Sequence, residues 1–147
     1  MYKCKHFCIE ELVSPKTYEL KGEKCWRWFP EKALRGLDAL RDEFGGMTIN
    51  NWKWGGNRRY SGFHLPSDPQ DRSQFSGHRQ WQSFDCIFAD HSAEEVRIKL
   101  LGHEPVKNGY LPQIERHPDI TEIEIGVNWL HVRFNSNVGK QVLVYRP

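Results

Sequence analysis

The chain has 147 residues, 38% hydrophobic and 27% charged, a length and balance that point to one small domain. Its 21 Lys and Arg against 19 Asp and Glu leave a formal net charge of +2. That argues against a dedicated nucleic-acid binder, while a mildly basic surface helps approach to an anionic polymer.

The N-terminus, M-Y-K-C-K-H-F-C-I-E-E, is broken by charge and has no long apolar run. Neither a signal peptide nor a membrane span is expected. Cys4 and Cys8 bracket His6, but no C-x-x-C pair exists among Cys4, Cys8, Cys25 and Cys86, so they read as free thiols. Phe7–Val13 alternates apolar and acidic residues and suggests a short helix stopped by Ser14-Pro15. Residues 30–44 form the clearest helix: Pro30 suits a first helical position, Ala33, Leu34, Leu37, Leu40 and Phe44 make an apolar stripe, and Gly45-Gly46 ends it. Met47–Asn51 reads as a strand. Trp52–Gln74 is a long irregular segment rich in Gly, Pro, Ser and Arg, a length that in small domains marks function.

Phe84–Ala89 alternates, with Phe84, Cys86 and Phe88 on one face and Asp85 on the other. Ser92–Glu95 is a capping box opening a helix through Leu101, closed by Gly102. Tyr110–His117 suggests a short helical turn. Thr121–Ile125, Trp129–Phe134 and Gln141–Tyr145 read as three antiparallel strands joined by Gly-Val-Asn and Asn-Ser-Asn-Val-Gly.

The chemistry concentrates in two stretches. Ser76–Asp85, S-G-H-R-Q-W-Q-S-F-D, places His78 seven positions before Asp85, with Gly77 and Ser83 leaving room around them. Glu124–Phe134, E-I-G-V-N-W-L-H-V-R-F, puts His131 on a strand face with Trp129 and Arg133. Two imidazoles and a carboxylate are a donor set for zinc with a fourth position open. A two-residue turn at Val127-Asn128 would set Glu124 directly opposite His131, with Cβ atoms about 4.5–5.5 Å apart, where it can act as a general base. A bulge would break that pairing.

Ser76, His78 and Asp85, followed by Trp129-x-His131, resemble the S-x-H-x-x-G-x-A-x-D and W-x-H motifs of the D-alanyl-D-alanine carboxypeptidase family of zinc peptidases, and most closely its phage endolysin branch. Trp81 stands where that pattern has Gly, and Ser83 where it has Ala. F-x-x-E-E-L-V at Phe7, the L-x-x-L-R helix ending at Gly45-Gly46, and I-N-N-W before Gly55-Gly56 extend the likeness to Phe134. The resemblance implies an α+β fold: a small single domain with a central antiparallel β-sheet flanked by helices, as in hedgehog and D-Ala-D-Ala peptidase domains. It implies zinc held by His78, Asp85 and His131, cleavage of peptide bonds in peptidoglycan, and an enzyme made in the cytoplasm and released to the cell wall. Glu124 is the candidate base, because Asn128 occupies the position of the family's glutamate. Ser76, Arg59, Trp129 and Arg133 are candidate substrate contacts. So is His64, which stands where relatives carry arginine in S-G-x-R. A monomer with a peptidoglycan peptide as its partner is expected, and neither nucleic acid nor membrane. The rival reading is a zinc-containing cell-wall binding or structural module with catalysis lost. A third, base stacking on Trp52, Trp54 and Tyr60 beside Lys53, Arg58 and Arg59, ranks below both for want of net charge.

Overall fold

The computed structural model describes residues 1–69, 76–103, 108–135 and 140–146. Among the described residues four α-helices, α1 (Ile9–Leu12), α2 (Pro15–Lys21), α3 (Glu31–Phe44) and α4 (Ala93–Leu101), accompany strands β1 (Met47–Thr48), β2 (Ser83–Phe88), β3 (Gly109–Pro112), β4 (Ile120–Glu124), β5 (Leu130–Phe134) and β6 (Gln141–Tyr145). The strands make one sheet in the order β1-β2-β5-β4-β6-β3. This is a small mixed α+β domain with a six-stranded sheet flanked by helices.

The apolar stripe of α3 is buried as its spacing requires: Leu34, Leu37 and Leu40 are at most 1% exposed, and burying each side chain contributes about 1.5–3 kcal/mol. Pro30 is the N-cap, and Gly45 takes φ 82° at the C-cap. Gly36, unfavourable by propensity, lets the helix lie on Phe134, whose ring would be 2.3 Å from an added Cβ. Phe84, Cys86, Leu130, Val132 and Phe134 form the apolar face of the central strands, in one core with α3 and with Val96 and Leu100 of α4. The opposite face carries Asp85, Glu122, Glu124, His131 and Arg133.

Several expectations need correction. Ser14-Pro15 ends α1 and also starts a second helix: Ser14 caps α2 through Thr17 N–H, and Pro15 sits at its first position. The segment 110–117 is not helical. Gly109–Pro112 pairs antiparallel with β6, because Pro112 lacks the N–H a helix needs and Tyr110 and Leu111 suit an edge strand. β6 lies beside β4, not β5, and runs parallel to it, so the sheet is mixed rather than antiparallel. The strand expected over Met47–Asn51 shortens to β1, since Ile49 O and the Asn50 and Asn51 side chains instead bond Arg58, Ser61 and Val13.

The long irregular segment is tied down through residue 69. Trp52–Trp54 forms a 3-10 turn. Phe63 bridges Val13 in a parallel bridge, and Asp68 accepts hydrogen bonds from Ser14 Oγ and Leu65 N–H at 2.8 Å each. Its remainder, 70–74, and most of the loop expected between β5 and β6, 136–139, lie outside the described residues.

Candidate metal centre

Three neighbouring strands meet at the site. In the β2–β5 pairing Asp85 stands opposite His131. The Asp85 N–H goes to Ser61 O at 2.7 Å and its carbonyl accepts from Arg58 Nη2 at 2.8 Å. Both backbone groups therefore point away from β5, so Asp85 and His131 are a non-hydrogen-bonded pair, the kind whose side chains lie closest. His131 Nδ1 lies 2.7 Å from Asp85 Oδ1. On the other side, Ile123 pairs with Val132, and one more step in that register places Glu124 opposite His131. Glu124 Oε2 is 3.9 Å from His131 Nδ1. A register irregularity does occur in β4, but between Ile120 and Glu122, beyond the pairing that matters.

His78 arrives from a different element. Ser76 caps the 3-10 turn Gly77–Gln80, its Oγ accepting the His78 N–H at 3.3 Å. The turn can reach β2 only because residue 77 is glycine: an added Cβ would lie 2.0 Å from Ser83 Oγ. Trp81 ends the turn at φ 62°, a left-handed conformation that favours glycine. Its ring offsets that strain by stacking on Phe63, with centroids 3.3 Å apart, and meeting Phe29 edge-on at 5.0 Å. His78 Nδ1–H donates to Gly62 O at 3.0 Å, which fixes the ring and turns Nε2 toward Asp85 Oδ1, 3.5 Å away.

His78, Asp85 and His131 each offer a ligand atom, all within 4.8 Å of one another. The three can hold a metal ion. The 3.5 Å between His78 Nε2 and Asp85 Oδ1 is close to the edge, about 3.3 Å, of a tetrahedron with bonds near 2.0 Å. The backbone carbonyl behind His78 is the outer-shell partner that metal-binding imidazoles typically use.

The two carboxylates beside His131 diverge electrostatically. Burial alone would raise Asp85, but the charge of His78 and hydrogen bonds from His131 and His78 outweigh it and hold Asp85 well below the usual carboxylate range. Glu124 is pushed up, by burial first and then by the Asp85 charge, against the opposing pull of His131 and Arg97. Tyr145, beside Glu124 in the parallel pairing, is raised to about 12 by burial and by the Glu124 and Glu122 charges.

A cavity of about 510 Å³ opens over His78 and Asp85, lined in part by Arg59, His64, Ser76 and Trp129. Of these expected substrate contacts, Arg59 is exposed on the wall. His64 is buried, its ring centroid 5.8 Å from that of His78. The Trp129 Nε1 is buried without a hydrogen-bond partner among the described residues. Arg58 lines the cavity too, but its Nε bonds Ile49 O at 2.8 Å and its Nη2 Asp85 O, so it braces the Asp85 strand. Arg133 is tied elsewhere: it donates to Glu122 Oε1 at 2.8 Å, Gln82 Oε1 at 3.1 Å and Gln80. Those partners take up its fork, and it does not line the cavity. Tyr60, a stacking candidate in the sequence, stands on the wall with Ser61; Ser61 and the Gly62 carbonyl were not anticipated, since a backbone acceptor leaves no mark in sequence.

His6 Nε2 pairs with Asp42 Oδ1 at 2.5 Å and Cys4 Sγ–H donates to Leu34 O. Among the described residues, the group formed by His78, Asp85 and His131 is the one arranged to hold a metal. No helix there is long and apolar enough to cross a membrane. Comparison with known proteins finds no matching family model, curated protein or solved structure.

Proposed function

We propose that the protein is a zinc-dependent peptidase that hydrolyses peptide bonds in peptidoglycan, of the D-Ala carboxypeptidase or L,D-endopeptidase type, acting as a monomer on the cell wall after release from the cytoplasm. The observation that carries this reading is the convergence of two imidazoles and a carboxylate, from three separate segments, with a second carboxylate 3.9 Å from the central histidine. His78, Asp85 and His131 would hold the ion. Two nitrogens and one carboxylate oxygen form a catalytic zinc set with a position left open. Bound zinc supplies a Lewis acid that polarises the scissile carbonyl and activates water.

The remaining work falls to the chain. Glu124 takes the proton from the attacking water and returns it to the leaving amine. A carboxylate raised by burial is better matched to that task than an exposed one. Arg59 offers a cation at the cavity wall to a peptide carboxylate. Trp129 adds an aromatic surface to the cavity wall. His64 and Ser76 shape the floor around His78.

Metal analysis combined with identification of muropeptide products tests this. One zinc per chain, peptide products from purified peptidoglycan, and loss of both on His78→Ala are expected. Glu124→Gln should keep zinc and lose turnover by at least about 100-fold. Bound zinc with no cleavage of any stem or cross-linked peptide would replace this reading with a cell-wall binding module, and a chain that takes up no zinc would end it.

A further inference from the structure

The turn between β4 and β5 is held by one residue with no part in the cluster. Arg97, on α4, is 1% exposed. Its Nε donates to Glu124 O at 2.9 Å, its Nη2 to Val127 O at 2.9 Å and to Trp129 O, and its Nη1 to Glu94 Oε2 at 2.8 Å. One guanidinium thus satisfies three backbone carbonyls of a single turn. Two of them flank that turn: Glu124 is the last residue of β4, and Trp129 immediately precedes β5.

We propose that Arg97 is a positioning residue: by bonding the carbonyls on both sides of the β4–β5 turn it fixes the juxtaposition of Glu124 with His131 and the placement of Trp129 on the cavity wall. The inference rests on the peptidase reading for its kinetic consequence, but its geometric part does not. A buried carbonyl left unpaired costs about 1–3 kcal/mol, so three of them directed at one fork leave the turn a single low-energy placement. The fork geometry matters. Arg presents five donors in a plane, whereas the Lys ammonium is a point donor on a shorter reach and cannot span all three acceptors. Glu94 orients the fork from the solvent side, its side chain 52% exposed, and is the dispensable partner.

The test compares full-length Arg97→Lys with Val96→Ala. The second variant removes a buried side chain of the same helix that has no part in the turn. Two readouts separate this proposal from the assignment of function. The first needs neither metal nor activity. In the metal-free chain the His131 Nδ1 proton, held by Asp85 at 2.7 Å, should give a downfield NMR signal. It should shift or broaden in Arg97→Lys together with the Trp129 indole signal, and stay in place in Val96→Ala. The second is kinetic: Arg97→Lys should lower kcat by about 10- to 100-fold with KM changed less than about threefold, while Val96→Ala lowers stability alone. If the Arg97→Lys signals coincide with those of the parent, or if both variants perturb the site equally, Arg97 is a structural residue and the proposal falls. If the NMR result holds but the parent shows no peptidase activity, the peptidase reading fails and the positioning role stands.

Discussion

The approach of the His78 turn to β2 makes a demanding prediction at Gly77. A methyl group there would sit 2.0 Å from Ser83 Oγ, 3.0 Å from Ser83 Cβ and 3.3 Å from Arg133 Cδ, where ordinary contact begins at 3.4 Å. Rotating the Ser83 hydroxyl relieves the first contact but not the second, because Cβ belongs to the strand. Ser83 is 1% exposed and pairs with Arg133 on β5, so the strand cannot yield cheaply. Gly77→Ala should therefore cost about 1–3 kcal/mol, the usual range for overpacking, and should push the turn outward by a few tenths of an ångström. His78 is the next residue, so a metal site built on it should weaken about tenfold, equivalent to about 1.4 kcal/mol. Ser83→Gly removes both offending atoms at the expense of about 0.5–1 kcal/mol in strand stability. In that background Gly77→Ala should be nearly neutral. Urea denaturation of the four proteins gives the coupling energy, and competition with a chelating dye gives the zinc affinity. If the two substitutions are additive within about 0.5 kcal/mol, the close approach of turn and strand is wrong.

At Trp81, replacement by glycine removes about 1–2 kcal/mol of left-handed strain but also the ring that stacks on Phe63. Losing a large aromatic from a core costs about 3–5 kcal/mol, less here because Trp81 is only partly buried. Trp81→Gly should thus destabilise by about 1–3 kcal/mol in urea melts, and a stabilised variant would show that the ring contributes nothing. Glu43 accepts hydrogen bonds from His117 at 2.7 Å and Arg116 at 3.0 Å. Although burial alone would raise its carboxyl, these bonds hold it below the ordinary value of 4.5. A depressed carboxylate adds stability above its unfolded-state value and loses it as pH falls through the folded one. Glu43→Gln should therefore cost about 0.5–1 kcal/mol at pH 7, modest because the Glu43 side chain is a third open to solvent, and the gap to the parent should close below about pH 4.5. A gap that widens on acidification would contradict the assignment.

Where a structural signal is local, the residues announced it. Ser92 and Glu95 form the expected capping box, the α3 stripe is the buried face, and β2 alternates as Phe84-x-Cys86-x-Phe88 requires. The pairing of Glu124 with His131 follows from a turn centred on Val127-Asn128, because an even turn preserves which residues face each other. What depends on partners distant in sequence did not show. β6 has the same composition whether it lies beside β5 or β4, and its place is set by which apolar face remains to be covered. Nothing near Arg97 in E-E-V-R-I-K distinguishes a buried clamp from an exposed helix charge. Arg58 and Arg59 are indistinguishable as neighbours, yet one braces β2 and the other stands on the cavity wall. The unusual Trp81 was visible as a departure from a motif, but its left-handed backbone and its stack on Phe63 are facts of the fold.

The arrangement around His131 carries the functional argument further than the ligand set alone. A histidine between two carboxylates, at 2.7 Å from Asp85 and 3.9 Å from Glu124, would be redundant if both had the same task. Their surroundings separate them. Asp85 has two imidazoles facing it and backbone bonds to Ser61 and Arg58 on the strand's outer edge, so it stays ionised and fixed, as a ligand must. Glu124 has burial working against its charge, lies farther from the histidine, and is held through its backbone carbonyl by Arg97, so under the proposed reading its carboxylate is the one suited to take up and release a proton. Pairs of acids driven apart in this way typically divide the work of an active site, one holding charge and the other moving protons. A purely structural metal site needs the first and gains nothing from the second. Glu124 is therefore the residue whose removal discriminates between an enzyme and a binding module built on the same centre.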